Sequence, residues 1–117
     1  MANGVIIPCV DTPIDVPFTA GSVSTSCYGT MFRVGKIVYY TLFSRGPFGL
    51  DDPIITITNA SDRPKTQHNC GGSYSGSGIN KGGGLYVFKT NGSLYQGMEN
   101  NTSEKYVGIS GCYEAAY

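Results

Sequence analysis

The stretch from Phe32 to Arg45, Phe-Arg-Val-Gly-Lys-Ile-Val-Tyr-Tyr-Thr-Leu-Phe-Ser-Arg, restricts the fold more than any other part of the chain. It is the longest apolar run, and its β-branched and aromatic side chains suit a pleated strand. Beyond Gly35-Lys36, apolar groups occupy both parities: Ile37, Tyr39 and Phe43 on one side, Val38, Tyr40 and Leu42 on the other. A strand with one buried face alternates apolar with polar, so this one requires cover on both sides. In a 117-residue chain the core supplies one cover. A neighbouring subunit is expected to supply the other, with Val38, Tyr40 and Leu42 as the interface.

Turn signals divide the rest into short extended pieces. Residues 20–34 read as one or two strands, and Gly35-Lys36 as a two-residue hairpin turn with glycine supplying positive φ. Ile54 to Thr58 is a short β-branched strand, ended by Asn59 to Pro64. Leu85 to Thr90, Asn91-Gly92 and Ser93 to Gln96 predict a hairpin with a type I′ turn, setting Phe88 against Tyr95 and Lys89 against Leu94. Lys105 to Tyr113 alternates, with Val107, Ile109 and Tyr113 on one face and Tyr106, Gly108, Ser110 and Cys112 on the other. No stretch keeps helical apolar spacing over three turns. The expected fold is all-β: an antiparallel β-sandwich, jelly-roll-like, of about seven to eight short strands over residues 20–117.

Residues 1–19 carry Pro8, Pro13 and Pro17. Proline lacks the amide donor and pushes the preceding residue to extended geometry, so this segment reads as an extended arm rather than a helix or central strand. Ile6, Ile7, Val10 and Ile14 make it apolar enough to anchor on a partner.

Charge and composition exclude several classes. The formal net charge is zero and 14% of residues are charged, against about a quarter in ordinary domains, so no basic field attracts nucleic acid. No apolar run approaches the roughly 18 residues that span a bilayer, and Met1 to Asp11 lacks the pattern of a secretory signal. The chain is expected to be made in a cytosol and not to insert in membranes. Cys9, Cys27, Cys70 and Cys112 are far apart, whereas zinc ligands come in close pairs. No metal or cofactor is expected. The cysteines read as buried thiols, with two disulfides in any of three pairings as the alternative.

Reactive constellations are equally sparse. His68 lies near Asp62 and Cys70 in sequence, but nucleophile, base and orienting group must meet in space, and a structural or exposed histidine is expected. Asp51-Asp52 point opposite ways on extended chain and make a poor acid–base pair. Gly76-Ser77-Gly78-Ile79-Asn80 is followed by Lys81 where a dinucleotide fingerprint requires glycine. Residues 71–84 hold seven glycines, with the Tyr, Ser, Gly and Asn of adaptable binding loops. Tyr74, Asn80 and Lys81, with Tyr95, are therefore the candidate ligand-binding residues. No enzyme is expected.

Four segments in order carry a family resemblance: Phe32 to Tyr40; Ile55-Thr56-Ile57 leading to Asp62-Arg63-Pro64; Tyr86 to Leu94 around Asn91-Gly92; and the terminal Tyr106 to Tyr113. Together they resemble the small β-sandwich domains that end bacteriophage tail fibres, baseplate and other virion fibre proteins. The resemblance covers roughly residues 30–115. It implies a homotrimer without catalysis, made in the host cytoplasm and located in the virion, attaching to host surface glycan or protein or decorating the capsid. Such domains usually end a long shaft-bearing chain, whereas here about 20 residues precede the sandwich, so either the arm docks on another virion protein or the sequence is a piece of a longer chain. The alternatives are a capsid decoration or head-fibre protein with mainly an assembly role, and a stand-alone lectin-like module.

Overall fold

The computed structural model describes residues 12–76, 81–97 and 105–117. They form nine antiparallel strands and, among the described residues, no α-helix, so none is long and apolar enough to cross a membrane. The strands are β1 (Ile14–Asp15), β2 (Phe18–Ala20), β3 (Ser26–Val34), β4 (Ile37–Gly46), β5 (Ile55–Ile57), β6 (His68–Gly76), β7 (Lys81–Phe88), β8 (Ser93–Gln96) and β9 (Lys105–Glu114). All belong to one curled sheet, in the order β1-β3-β4-β9-β6-β7-β8-β5-β2.

The two outermost strands are consecutive in sequence, with only Val16 and Pro17 between them. Val16 N–H donates to the Met31 carbonyl at 3.0 Å on the β3 side, and Thr58 N–H donates to the Pro17 carbonyl at 3.1 Å on the β5 side. One chain segment thus ties both ends of the sheet. Residues 14–19, expected within an arm, belong to the sheet and close it. Pro17 sits where the chain changes partner, so its missing N–H interrupts no regular ladder. The sheet wraps a core that includes Val16, Met31, Phe48, Ile55, Phe88, Leu94 and Ile109.

β4 shows how alternation sorts the doubly apolar run. Val38, Tyr40 and Leu42 are 0%, 2% and 3% exposed inside the chain's own core, with Ser44 and Gly46 following at the same parity. Their assignment to a subunit interface is corrected: their cover is intramolecular. The opposite parity, Ile37, Tyr39, Thr41, Phe43 and Arg45, lies on the outside of the sheet. Buried Ser44 donates to the Ser26 carbonyl at 3.3 Å, and buried Gln96 donates to the Phe48 carbonyl at 2.8 Å, so neither polar group is stranded in the core.

The two turns compare differently with expectation. Gly35 has φ 59° and Val34 pairs with Ile37, as a two-residue turn requires. Around Asn91-Gly92 the loop is one residue longer. Lys89 N–H bonds the Ser93 carbonyl at 3.0 Å and Gly92 N–H bonds the Lys89 carbonyl at 2.9 Å. Gly92 alone has positive φ among the glycines there, at 89°, and Asn91 Oδ1 accepts from Ser93 N–H at 2.9 Å. This is a three-residue loop built on a tight turn and one left-handed glycine. Phe88 consequently faces Leu94, and Val87 faces Tyr95. The register is one residue from that expected, and Phe88 and Leu94 share the core.

Candidate functional site

The outer surface of β3, β4, β9 and β6 carries the most distinctive arrangement. Register places Tyr28 beside Phe43, Phe43 beside Gly108, and Gly108 beside Ser73, one row across four strands. Thr30, Thr41 and Ser110 form the next row. Tyr28 and Phe43 stack with ring centroids 4.9 Å apart. Phe43 also meets Tyr106 at 6.1 Å, and the Arg45 guanidinium lies 4.7 Å from the Tyr106 centroid. An aromatic rim therefore crosses three strands beside a floor of glycine, serine and threonine.

Because that floor lacks bulk, the surface dips. One depression of 540 Å³ is lined by Tyr28, Phe43, Thr41, Ser110, Gly71 and Gly108 among others, and none of the described residues lining it is charged. A second, of 460 Å³, is lined by Phe43, Ser73, Tyr74, Ser75, Tyr106 and Gly108. Phe43, Ser73 and Gly108 are common to both, so the two form one groove. Each volume lies within the roughly 300–1,000 Å³ of small-molecule sites.

Four residues from Phe43 along β4, at about 3.4 Å per residue, the outer face carries a second aromatic pair. Phe32 and Tyr39 stack at 5.3 Å, with Tyr39 40% exposed and Cys112 paired beside it. The exposed Leu85 of β7 lies apart from this pair, opposite Gly71 at the groove floor.

The candidate ligand-binding residues are not brought together. Tyr74 borders the second depression, but alternation turns its side chain to the face opposite Ser73 and Ser75, where its hydroxyl lies beside Gly82. Tyr95 lies on the outer face opposite Val87, with Lys89 Nζ 4.6 Å from its ring centroid. Lys81 pairs with Ser75 through the backbone, and Asn80 lies outside the described residues. Of the anchoring candidates, Ile14 is 66% exposed on β1, and Ile6, Ile7 and Val10 lie outside the described residues. Tyr28, Phe43, Tyr106 and Gly108 were not singled out as ligand-binding from sequence, whereas the floor residues Gly71 and Ser73 fall within the glycine-rich segment 71–84. The small-residue alternation Gly108, Ser110 in β9 is a second sequence signal.

The polar cluster around His68 is structural in character. Its Nε2 lies 3.0 Å from the Tyr40 hydroxyl, and its ring packs against Phe88 and Tyr113. Burial holds the His68 pKa below its ordinary value, so the neutral ring is favoured and can accept from that hydroxyl. Burial also pushes the Cys70 thiol up, and Cys70 donates to the Tyr86 carbonyl at 3.6 Å. A nucleophile requires the reverse shift. Asp62 does not orient the imidazole; it pairs with Arg33 at 3.2 Å. Cys27, Cys70 and Cys112 are free thiols, and Cys27 is likewise raised by burial. Among the described residues no three His, Cys, Asp or Glu side chains gather as metal ligands.

No family model, curated protein or solved structure matches the chain.

Proposed function

We propose that the protein is a non-enzymatic structural component of a virion, a homotrimeric fibre- or receptor-binding-type domain that attaches to a host surface or to the particle. The observation that carries this reading is the outer sheet face. The closed sheet covers its own core, yet Phe32, Tyr39, Phe43 and Tyr28 remain outside on the adjacent strands β3 and β4. An outward apolar face of this kind marks a contact surface. The four-segment resemblance to virion fibre domains supplies the setting, and the upward shifts of the buried thiols favour a passive role over a catalytic one.

Assembly occurs through the Phe32–Tyr39 half, and the groove stays open to solvent. Ile14 pairs with Arg33 near the β3–β4 turn, and the segment before it contacts other virion proteins. Sedimentation of the purified chain tests the reading: a species three times the 12.4 kDa chain mass supports it, and a monomer at micromolar concentration removes it. Deleting residues 1–11 should abolish incorporation into particles, and unchanged incorporation would refute the anchoring role. Deleting residues 1–19 should instead open the sheet, because Val16 and Phe18 go with it. The groove favours a second reading, a stand-alone lectin-like module, which sedimentation would register as a monomer that still binds ligand.

A further inference from the structure

We propose that the outer-face groove centred on Phe43 and Gly108 is a binding site for an uncharged saccharide, seated with a pyranose ring against the aromatic rim. The inference takes its biological setting from the attachment reading, but the site stands on its own geometry.

Glycine inside a strand weakens it and marks a bulge or a close approach by something else. Gly71 and Gly108 lie within β6 and β9, and neither has the positive φ that would require glycine. A Cβ at Gly71 would meet nothing within 4 Å, and one at Gly108 would find its nearest neighbour, Ser73 Oγ, at 3.6 Å. Neither fold geometry nor packing explains these two glycines, and their shared effect is a bare floor beside the rings.

A pyranose presents an apolar C–H face and a periphery of hydroxyls. The stacked Tyr28–Phe43 pair offers a flat apolar face, and Tyr28, 61% exposed, adds a phenolic hydroxyl at the rim. Thr41, Ser73 and Ser110 supply hydroxyls that both donate and accept, as a ring of hydroxyls demands. Among the described residues no charged side chain lines the larger depression, so an anionic ligand finds no counter-charge in that lining and a neutral one loses none. The two depressions flank Phe43, which gives room for consecutive sugar units.

A glycan array carrying neutral and acidic oligosaccharides, followed by saturation-transfer NMR with the methyl pyranosides of the sugars retained, tests the site. The wild-type protein should retain neutral glycans. Gly108→Thr and Gly71→Val, which fill the floor without crowding the fold, should weaken binding at least tenfold while leaving the melting temperature unchanged or raised. Tyr95→Ala, away from the groove, should leave binding intact. Retention of no neutral glycan, or undiminished binding by both glycine variants, would overturn the proposal. A trimer that binds no sugar removes the site and leaves the attachment reading; a monomer that binds through the groove removes the assembly and leaves the site.

Discussion

On β6, Gly71 and Gly72 are adjacent and face opposite ways. A Cβ at Gly72 would come 2.4 Å from Ile109 Cγ2, 2.7 Å from the Gly108 carbonyl and 2.9 Å from Tyr86 Cε2, whereas one at Gly71 would meet nothing. Gly111 repeats the inner pattern, with its Cβ position 2.7 Å from the Tyr40 hydroxyl, and Gly108 repeats the outer one. On the inner face glycine makes room for tyrosines packed at core density. On the outer face, among the described residues, it relieves no close contact. The same residue type thus separates a face shaped by folding from a face shaped by contact.

Adjacent tyrosines on β4 should break the comparison most visibly if it is wrong. Tyr40→Ala removes a buried ring packed on Phe88 and Tyr113 and should cost about 3–5 kcal/mol in urea unfolding. Tyr39→Ala should cost the individual chain less than about 1 kcal/mol, as surface changes do. Equal losses would mean that both faces belong to the core. The glycines give the next largest contrast. Gly72→Val should destabilise by about 1–3 kcal/mol through overpacking against backbone, and Gly71→Val should be neutral or slightly stabilising because β-branched residues favour strands.

The Asn91-Gly92 loop sharpens the register on which the faces depend. Gly92→Ala places a Cβ at φ 89° and within 2.8 Å of the Arg63 side chain, and should lower stability by about 1 kcal/mol. The amide pattern of a hairpin pairing Phe88 with Leu94 should persist in NMR spectra of that variant. The smallest effect concerns pH. Burial lowers the His68 pKa, so the unfolded chain takes up a proton more readily than the folded one. Stability contributed by the neutral ring is intact above an ordinary histidine pKa of about 6.5 and declines as pH falls through it. The urea midpoint should drop between pH 7.5 and 5.5, and His68→Gln should flatten that limb.

Alternation made the all-β class and most strands legible in the sequence, because period-two patterns and Gly-containing turns are local. The inward face of Phe32–Arg45 was not legible: both parities are apolar, and the choice depends on what other strands place opposite. Asn91-Gly92 announces a hairpin but fits a two-residue or a three-residue loop, since both use glycine at positive φ. Packing of Phe88 against Leu94 selects the longer one. Pro17 argued against membership of the sheet, yet it occupies the one point where the chain changes partners and the ladder is already broken. The groove draws residues from four strands, so no local window contains it, and only the glycines from 71 onward and the small-residue alternation of β9 mark parts of it.

Sedimentation equilibrium of Tyr39→Lys beside the wild-type chain tests the division of faces most directly. The account predicts a wild-type trimer, and a Tyr39→Lys monomer whose fold, read by circular dichroism, is retained. A wild-type monomer, or a Tyr39→Lys trimer as stable as the wild type, would contradict it.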